Sequence, residues 1–248
     1  MIVKNEEEHL ARCLSSVKVL ADEIVIVDTG STDKTLEIAQ SFNVKLFHFE
    51  WVDDFSAARN FALSKCTGDW ILYLDADEEL NPNCIDEINN YKTRPPAGIY
   101  CTIKSLGSST TNESIIRYPR MFANIPGIKF NGKVHEQIID SLRKNKIPLI
   151  DSKIEIVHYG YVLDDEGLRQ KKERNLSLLL STENDEASVY IKLKLIQNLI
   201  SLEKNDEAEV RLKKLIKNKS LSCENLDLAF FYMASVKFEK NDFNSALE

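Results

Sequence analysis

The sequence predicts an α/β domain on a mixed, mainly parallel sheet, followed by an all-α region of helical hairpins. Three observations carry this prediction. Short β-branched runs alternate with amphipathic helical stretches up to about residue 165, the pattern of strand–helix–strand units. Beyond that point the chain reads as helix almost throughout. Within this tail Glu203-Lys204-Asn205-Asp206 recurs as Glu239-Lys240-Asn241-Asp242, a period of 36 residues.

The elements follow in order. Ile2-Val3 reads as the last piece of a strand. Glu6 to about Lys18 is amphipathic, with Leu10, Cys13, Leu14 and Val17 at helical spacing. Glu23 to Asp28 is a β-branched run, hence a strand buried on both faces. Thr29-Gly30-Ser31-Thr32 is turn chemistry with helix N-cap candidates, and Leu36, Ile38, Ala39 and Phe42 then mark a helix. Val44 to Phe49 is a third strand. Phe55 to Lys65 is a helix closed by Thr67-Gly68. Trp70 to Leu74 is a fourth strand ending in Asp75. Between residues 99 and 158 no helical period shows. Ile99–Lys104, Ser114–Pro119, Val134–Ile139 and Ile154–His158 read instead as added, partly antiparallel strands.

The resulting domains are 1–164, a connecting helix over 165–185, and repeats over 186–248. Each tail copy follows an amphipathic helix and opens another, containing Ala208 or Ala246. Hairpins of about 34 residues are the tetratricopeptide pattern, and such arrays need about three units. The natural chain is therefore expected to continue past Glu248. The short Ile2-Val3 strand raises the same expectation for its start.

Composition bounds the function. Of 248 residues, 43% are hydrophobic and 29% charged, as in globular proteins and unlike disordered ones. Thirty-two basic against 39 acidic residues give −7, with no basic block, which argues against nucleic acid as a partner. A phosphate ligand needs only a local site. No apolar run reaches the roughly 18 residues of a membrane span, and MIVKNEEEHL does not read as a secretory signal. Cys13, Cys66, Cys84, Cys101 and Cys223 are scattered, odd in number and without a CxxC pair. That speaks against a disulfide framework or zinc cluster and for the reducing cytoplasm, free or at the inner face of a membrane.

Ligands of open parallel sheets bind outside the carboxyl ends of the strands. Asn5 and Glu6 follow the first strand there, Asp28 the second, and Asp75, Asp77 and Glu78 the fourth. Crowded carboxylates repel unless a cation sits among them, and a hard divalent ion would in turn hold a phosphate. Asp75-Ala76-Asp77 points two carboxylates in similar directions. One is placed to hold a metal and the other to reach a ribose; the same residues also suit an acidic turn capping the helix after Pro82. Asp28 reads either as a turn residue or N-cap, or as an acceptor for a base or ribose at the sheet switch point. Arg59, on an otherwise apolar helix, is a surface cation or the neutraliser of Asp28, Asp75 or a phosphate. His135 and Glu136 are adjacent, so on a straight strand they face opposite sides. His158 ends a strand just before Tyr159-Gly160-Tyr161, in a structural or a functional role. GxSxG, GxGxxG and GxxxxGK[ST] are all absent, which removes the nucleophile-elbow, dinucleotide and P-loop readings.

Together these residues resemble a known family. Met1-Ile-Val-Lys-Asn-Glu-Glu7, the VDTGSTDKT run at 27–35, DDFSAARN at 53–60, LDADE at 74–78 and the later GKVHE are similar to family-2 glycosyltransferases of the GT-A fold. The resemblance covers about residues 1 to 165 and is strongest to a bacterial branch, some members of which carry tetratricopeptide tails. It implies a hexosyltransferase-type enzyme using a nucleotide-diphosphate sugar, most often a UDP-sugar, with Mg²⁺ or Mn²⁺. Asp28 would contact the base, with Asn5 and Glu6 lining the same pocket and Arg59 near base and acidic loop. Asp75 would lie near ribose and metal, with Asp77 on the metal. Glu136 falls at the acidic base, and His158 at a late metal-binding histidine. His135 is able to exchange roles with either. The implied reaction is inverting: a carboxylate takes the acceptor proton while the metal stabilises the leaving diphosphate. Phe55, Trp51 and Tyr118 serve as sugar-facing walls or as core. The acceptor would be a glycan, a lipid-linked glycan or a peptide, with a protein partner held by the helical tail.

Two other readings stand beside this one. A strand ending in DxD also opens phosphatase sites of the haloacid-dehalogenase type, but those place that strand first. Here it is fourth, and Asp164-Asp165 makes a poor later acidic pair. The other reading is an interaction scaffold whose front domain is inactive. Asp28, Arg59, Asp75 and Asp77 together argue against it.

Overall fold

The structure, a computed structural model, describes residues 1–106, 114–159, 165–183 and 188–242. Gly160, Tyr161, Asp164, the Asp165 side chain, and Ala246 with the second helix of the second repeat lie outside the described residues. The chain forms two compact units, Met1–Val162 and Leu163–Glu248.

The first unit opens with three parallel strands, β1 (Ile2–Val3), β2 (Val25–Asp28) and β3 (Lys45–His48), with β2 in the middle. All four β2 residues are buried, as its unbroken apolar run requires. The register pairs Val3 with Asp28 and Asp28 with His48, so the three strands end level. Helix α1 (Leu10–Val17) buries Leu10, Cys13, Leu14 and Val17, one stripe at helical spacing. Leu14 is fully buried, and truncating it to Ala would cost about 2–5 kcal/mol. Helix α2 (Thr35–Ser41) starts just before Leu36, with Lys34 and not one of the turn residues 29–32 at its N-cap. Its first amide is met by Asp33, which accepts from the Thr35 N–H at 2.9 Å. Helix α3 spans Phe55–Lys65, capped by Asp54 accepting from the Ala57 N–H.

The fourth strand departs from expectation. β4 (Trp70–Leu72) pairs antiparallel with β7 (Ser114–Ala123) and does not extend the parallel sheet. It edges a five-stranded sheet of order β4-β7-β6-β8-β5, with β5 at Glu78–Leu80, β6 at Gly98–Ser105 and β8 at Leu149–His158. Among the described strands three pairings are parallel and three antiparallel, so parallel character is confined to β1–β3 and to β6 beside β8. β5 was not expected: its acidic residues have no strand propensity, and pairing with β8 holds it. Val134–Ile139 is not a strand. Only an Asn131–Gln137 bridge forms, His135 takes a left-handed φ of 53°, and α5 (Ile139–Lys144) follows. Helix α4 (Ile85–Lys92) lies between β5 and β6. One apolar core joins α1, α4 and the five-stranded sheet; a second, built on Phe122, Phe130, Ile138 and Leu142, lies under the 125–138 loop.

The second unit is helical: α6 (Asp165–Thr182), α7 (Val189–Ser201), α8 (Asn205–Ile216) and α9 (Cys223–Glu239). Ser188 and Ser222 cap α7 and α9. Sequence neighbours pack pairwise, as in helical hairpins. The turn residues with left-handed φ, Glu203 and Asn241, are 38 residues apart, whereas the caps Ser188 and Ser222 are 34 apart, so the two hairpins differ in helix length. Buried Glu209 accepts from Lys213 on its own helix and clips α8 to α9 by accepting from Lys237 and Lys240, and these hydrogen bonds hold its carboxyl down to about 2. Among the described residues no helix is long and apolar enough to cross a membrane.

Candidate active site

The ends of β1 and β2 carry the first group of residues. Asp28 is buried, and its carboxylate accepts from the amides of Gly30 and Ser31, both at 3.0 Å, with His48 Nδ1 at 3.4 Å. Burial would raise this carboxyl; the hydrogen bonds from Ser31, Gly30 and His48 overcome it and hold it low. Gly30 has φ +108°, which lets the chain fold back over the carboxylate. Asn5 completes the loop. Its amide donates to Ser31 Oγ and its side-chain oxygen accepts from the Thr32 N–H at 2.8 Å. The Glu6 amide donates to Thr35 Oγ1. The turn reading of Asp28 is thus realised, and Asn5, Glu6 and Asp28 share one loop cluster.

Arg59 organises the second group. Its side chain is 10% exposed, on the inner side of α3. Nη2 donates to Asp75 Oδ1 at 2.6 Å, and Nε donates to Glu136 Oε1. Two devices bring Glu136 here. Asn60, one residue on from Arg59, clasps the backbone of Phe130 in both directions, at 2.9 and 2.8 Å. The Phe55 amide then donates to the Lys133 carbonyl. Gly132, at φ +103°, and the left-handed His135 turn the segment so that Glu136 faces α3. The expected opposition of His135 and Glu136 rested on a straight strand, which is absent. The His135 carbonyl accepts from Gln137 Nε2.

A second arginine went unrecognised in the sequence. Arg120, on β7, pairs with Glu78 at 2.6 Å and with Asp75 Oδ2 at 3.5 Å. Its guanidinium lies 4.7 Å from the centre of the partly buried Tyr73 ring, and Arg59 lies 5.3 Å from the same ring. Burial would raise the Asp75 carboxyl; the charges of Arg59 and then Arg120 hold it well below the usual carboxylate range. Glu78 is the reverse case: burial pushes it up to about 7. Arg120 carries no sequence signal, because a buried arginine on a strand looks like an exposed one until the register is known.

Asp77 and His158 form the third group, with His158 Nε2 3.1 Å from Asp77 Oδ2. The pairing of Glu78 with His158 across β5 and β8 sets this up. His158 Nδ1 lies 3.2 Å from Ser105 Oγ. Burial would lower the imidazole, but the Asp77 hydrogen bond raises it. Among the described residues no group of three or more His, Cys, Asp or Glu forms a ready metal cage. One carboxylate and one imidazole nevertheless suit Mg²⁺ or Mn²⁺, which take few protein ligands and complete their shell with substrate phosphates and water.

Of the aromatic candidates, Trp51 packs edge-on against Phe55 at 4.8 Å, and Tyr118 packs against the main core.

Residues 1–156 match the family described as Glycosyl transferase family 2. A TPR repeat-containing protein of Synechococcus elongatus is 38% identical over 202 residues, 78% of this chain and 50% of its own. The SPbeta prophage-derived glycosyltransferase SunS of Bacillus subtilis is 30% identical over 186 residues, 72% of this chain and 43% of its own. The chain thus spans about half the length of the curated relatives it matches. Among solved structures, S. aureus TarS superposes with a TM-score of 0.57 at 15% identity, covering 99% of this chain and 53% of that one. The mannosyltransferase PcManGT from Pyrobaculum calidifontis, in complex with GDP-Man and Mn²⁺, gives 0.50 at 14% identity, covering 99% and 82%. At these identities the likeness is one of fold.

Proposed function

The chain belongs to glycosyl transferase family 2, with a GT-A-like α/β domain followed by helices, and from that premise we propose that it is an inverting, metal-dependent glycosyltransferase. Its donor is a nucleotide-diphosphate sugar, with a UDP-sugar as the first choice. The observation that carries this reading is Arg59 joining Asp75, of the DxD motif, to Glu136. A single buried guanidinium thereby fixes the acidic donor edge and a second carboxylate in one place.

The residues divide the work. The loop of Asn5, Glu6 and Asp28 receives base and ribose, with Asp75 at the inner side of the nucleotide. Asp77 and His158 hold Mn²⁺ or Mg²⁺, which when bound supplies Lewis-acid stabilisation to the departing diphosphate. Glu136 takes the acceptor proton as the acceptor oxygen bonds to the anomeric carbon and the bond to phosphate breaks. Arg59 orients both Asp75 and Glu136 for that step. His135, beside Glu136, is a secondary candidate in proton transfer.

The acceptor is a glycan, a lipid-linked glycan or a peptide. The helical tail suits a protein partner, since α9 exposes Phe230, Phe231 and Phe238. We assign transfer to residues 1–164, connection to 165–185 and partner binding to 186–248. Free cysteines, three of them buried, suit the cytoplasm, where thiols stay reduced.

A donor panel tests the proposal: nucleoside diphosphate release is followed with UDP- and GDP-sugars, and the anomeric configuration of the product is read by NMR. A β-linked product from an α-linked donor is expected. An α-linked product, or no release from any donor with Mn²⁺ present, would overturn it.

A further inference from the structure

The Arg120–Glu78 pair is buried, ties β7 to the residue that follows Asp77, and is absorbed by none of the roles above. Its geometry is specific. Glu78 Oε2 accepts from the Asp75 amide at 2.8 Å, and Glu78 Oε1 pairs with Arg120 at 2.6 Å. Arg120 Nη2 then lies 3.5 Å from Asp75 Oδ2. The contacts close a ring that starts on the Asp75 backbone and ends on its side chain. The Arg120 carbonyl also accepts from the Tyr73 amide at 3.0 Å, two residues before Asp75. Asp75 is thereby held at its amide, at one carboxylate oxygen and through the chain leading into it. Its other oxygen is left to Arg59.

Fold stability alone is a poor explanation for this pair. Side chains of 11% and 1% exposure have been taken out of water, and apolar residues of similar volume generally serve a core as well. Arg120 Nε is buried with no hydrogen-bond partner among the described residues, a cost that a purely structural brace would not carry.

We infer that Arg120 and Glu78 are positioning residues for the first aspartate of the DxD motif, fixing the Asp75 carboxylate for the metal–nucleotide complex. This rests on the proposed function. With the pair in place, Asp75 presents one rotamer beside Asp77, and Arg59 meets it without rearrangement. Without the pair, the carboxylate swings on a single contact. The metal-dependent part of nucleotide binding then weakens, while the part owed to the Asp28 loop persists.

The test uses the full chain in two variants. Arg120→Lys keeps the charge and loses the fork that reaches Glu78 and Asp75 together. The double variant Glu78→Gln with Arg120→Met removes one charge of each sign, keeps the net charge of the cluster and leaves no unpaired ion. UDP affinity is measured calorimetrically with and without MnCl₂, and thermal unfolding is recorded for each protein. The expected result is wild-type UDP affinity without metal, and loss of about tenfold or more of the Mn²⁺-dependent gain in both variants. A folded variant that keeps the full gain overturns the inference. So does equal loss with and without metal in both variants, which would mark a structural role only. A wild-type protein with no Mn²⁺-dependent gain for UDP or GDP would instead overturn the proposed function, and the inference with it.

Discussion

Replacing Arg59 by Met removes the cation that two carboxylates share. The Arg59 side chain is 10% exposed and its partners Asp75 and Glu136 are 35% and 12% exposed. Breaking a buried pair by removing one partner costs about 3–5 kcal/mol, and the partial solvent access of Asp75 places the figure near the lower end. For a domain of this size about 3 kcal/mol lowers the unfolding temperature by roughly 6–12 °C. The assay is thermal unfolding of the metal-free protein followed by near-UV circular dichroism, with Arg59→Lys alongside. Lysine keeps the charge but reaches only one partner well, so it should recover part of the loss. The pH dependence has a definite sign. Asp75 is held below its ordinary value in the folded protein, so its contribution is complete above about pH 4 and is lost as pH falls through the lowered value. The gap between wild type and Arg59→Met should therefore hold from pH 7 to about 5 and narrow below about 4. An unfolding temperature for Arg59→Met within about 2 °C of wild type at pH 7 would refute the reasoning.

Further outcomes follow from the same geometry. Glu136→Gln should lower kcat about 10²- to 10⁴-fold while UDP affinity stays within about twofold, checked by steady-state kinetics and calorimetry. Asp28→Ala strands the Gly30 and Ser31 amides at a cost of about 1–3 kcal/mol and should weaken UDP binding even without metal, measured by denaturant unfolding and titration. Glu209→Gln should lower the unfolding temperature at pH 7. Because that carboxyl is held down to about 2, the difference from wild type should vanish as pH falls from the ordinary carboxylate range toward that value.

How much of this was legible from sequence differs residue by residue. Helix α3 has the ends its sequence predicts, Phe55 and Lys65, and the structure adds the Asp54 cap at its start. The loop of Asn5 and Asp28 was also placed, since turn chemistry at a strand end has few alternatives. Arg59 was readable as a candidate but not as a buried hub; that needed Asn60 to clasp Phe130 and carry Glu136 across 77 positions of chain. The strand expected over Val134–Ile139 is absent because His135 is left-handed, and only Gly132 nearby hints at such a bend. Arg120 was invisible for a different reason. Its burial depends on β7 pairing with β4 through Leu72 and Met121, a long-range register with no local signature. The antiparallel setting of β4 escaped for the same cause, since a short apolar strand reads alike in either direction. In the tail the tetrapeptide recurs at 36 residues, but the helix starts recur at 34 and the left-handed turns at 38, because α9 is longer than α7.

The central claim is that Asp77 and His158 hold a divalent ion against a nucleoside diphosphate. Calorimetric titration of the purified protein with UDP, with and without MnCl₂ and repeated on Asp77→Asn, tests it most directly. Binding at least about tenfold tighter with Mn²⁺ is expected, a gain that disappears in Asp77→Asn while the variant stays folded. No binding of UDP or GDP under either condition, or a metal-dependent gain that survives in Asp77→Asn, would contradict it.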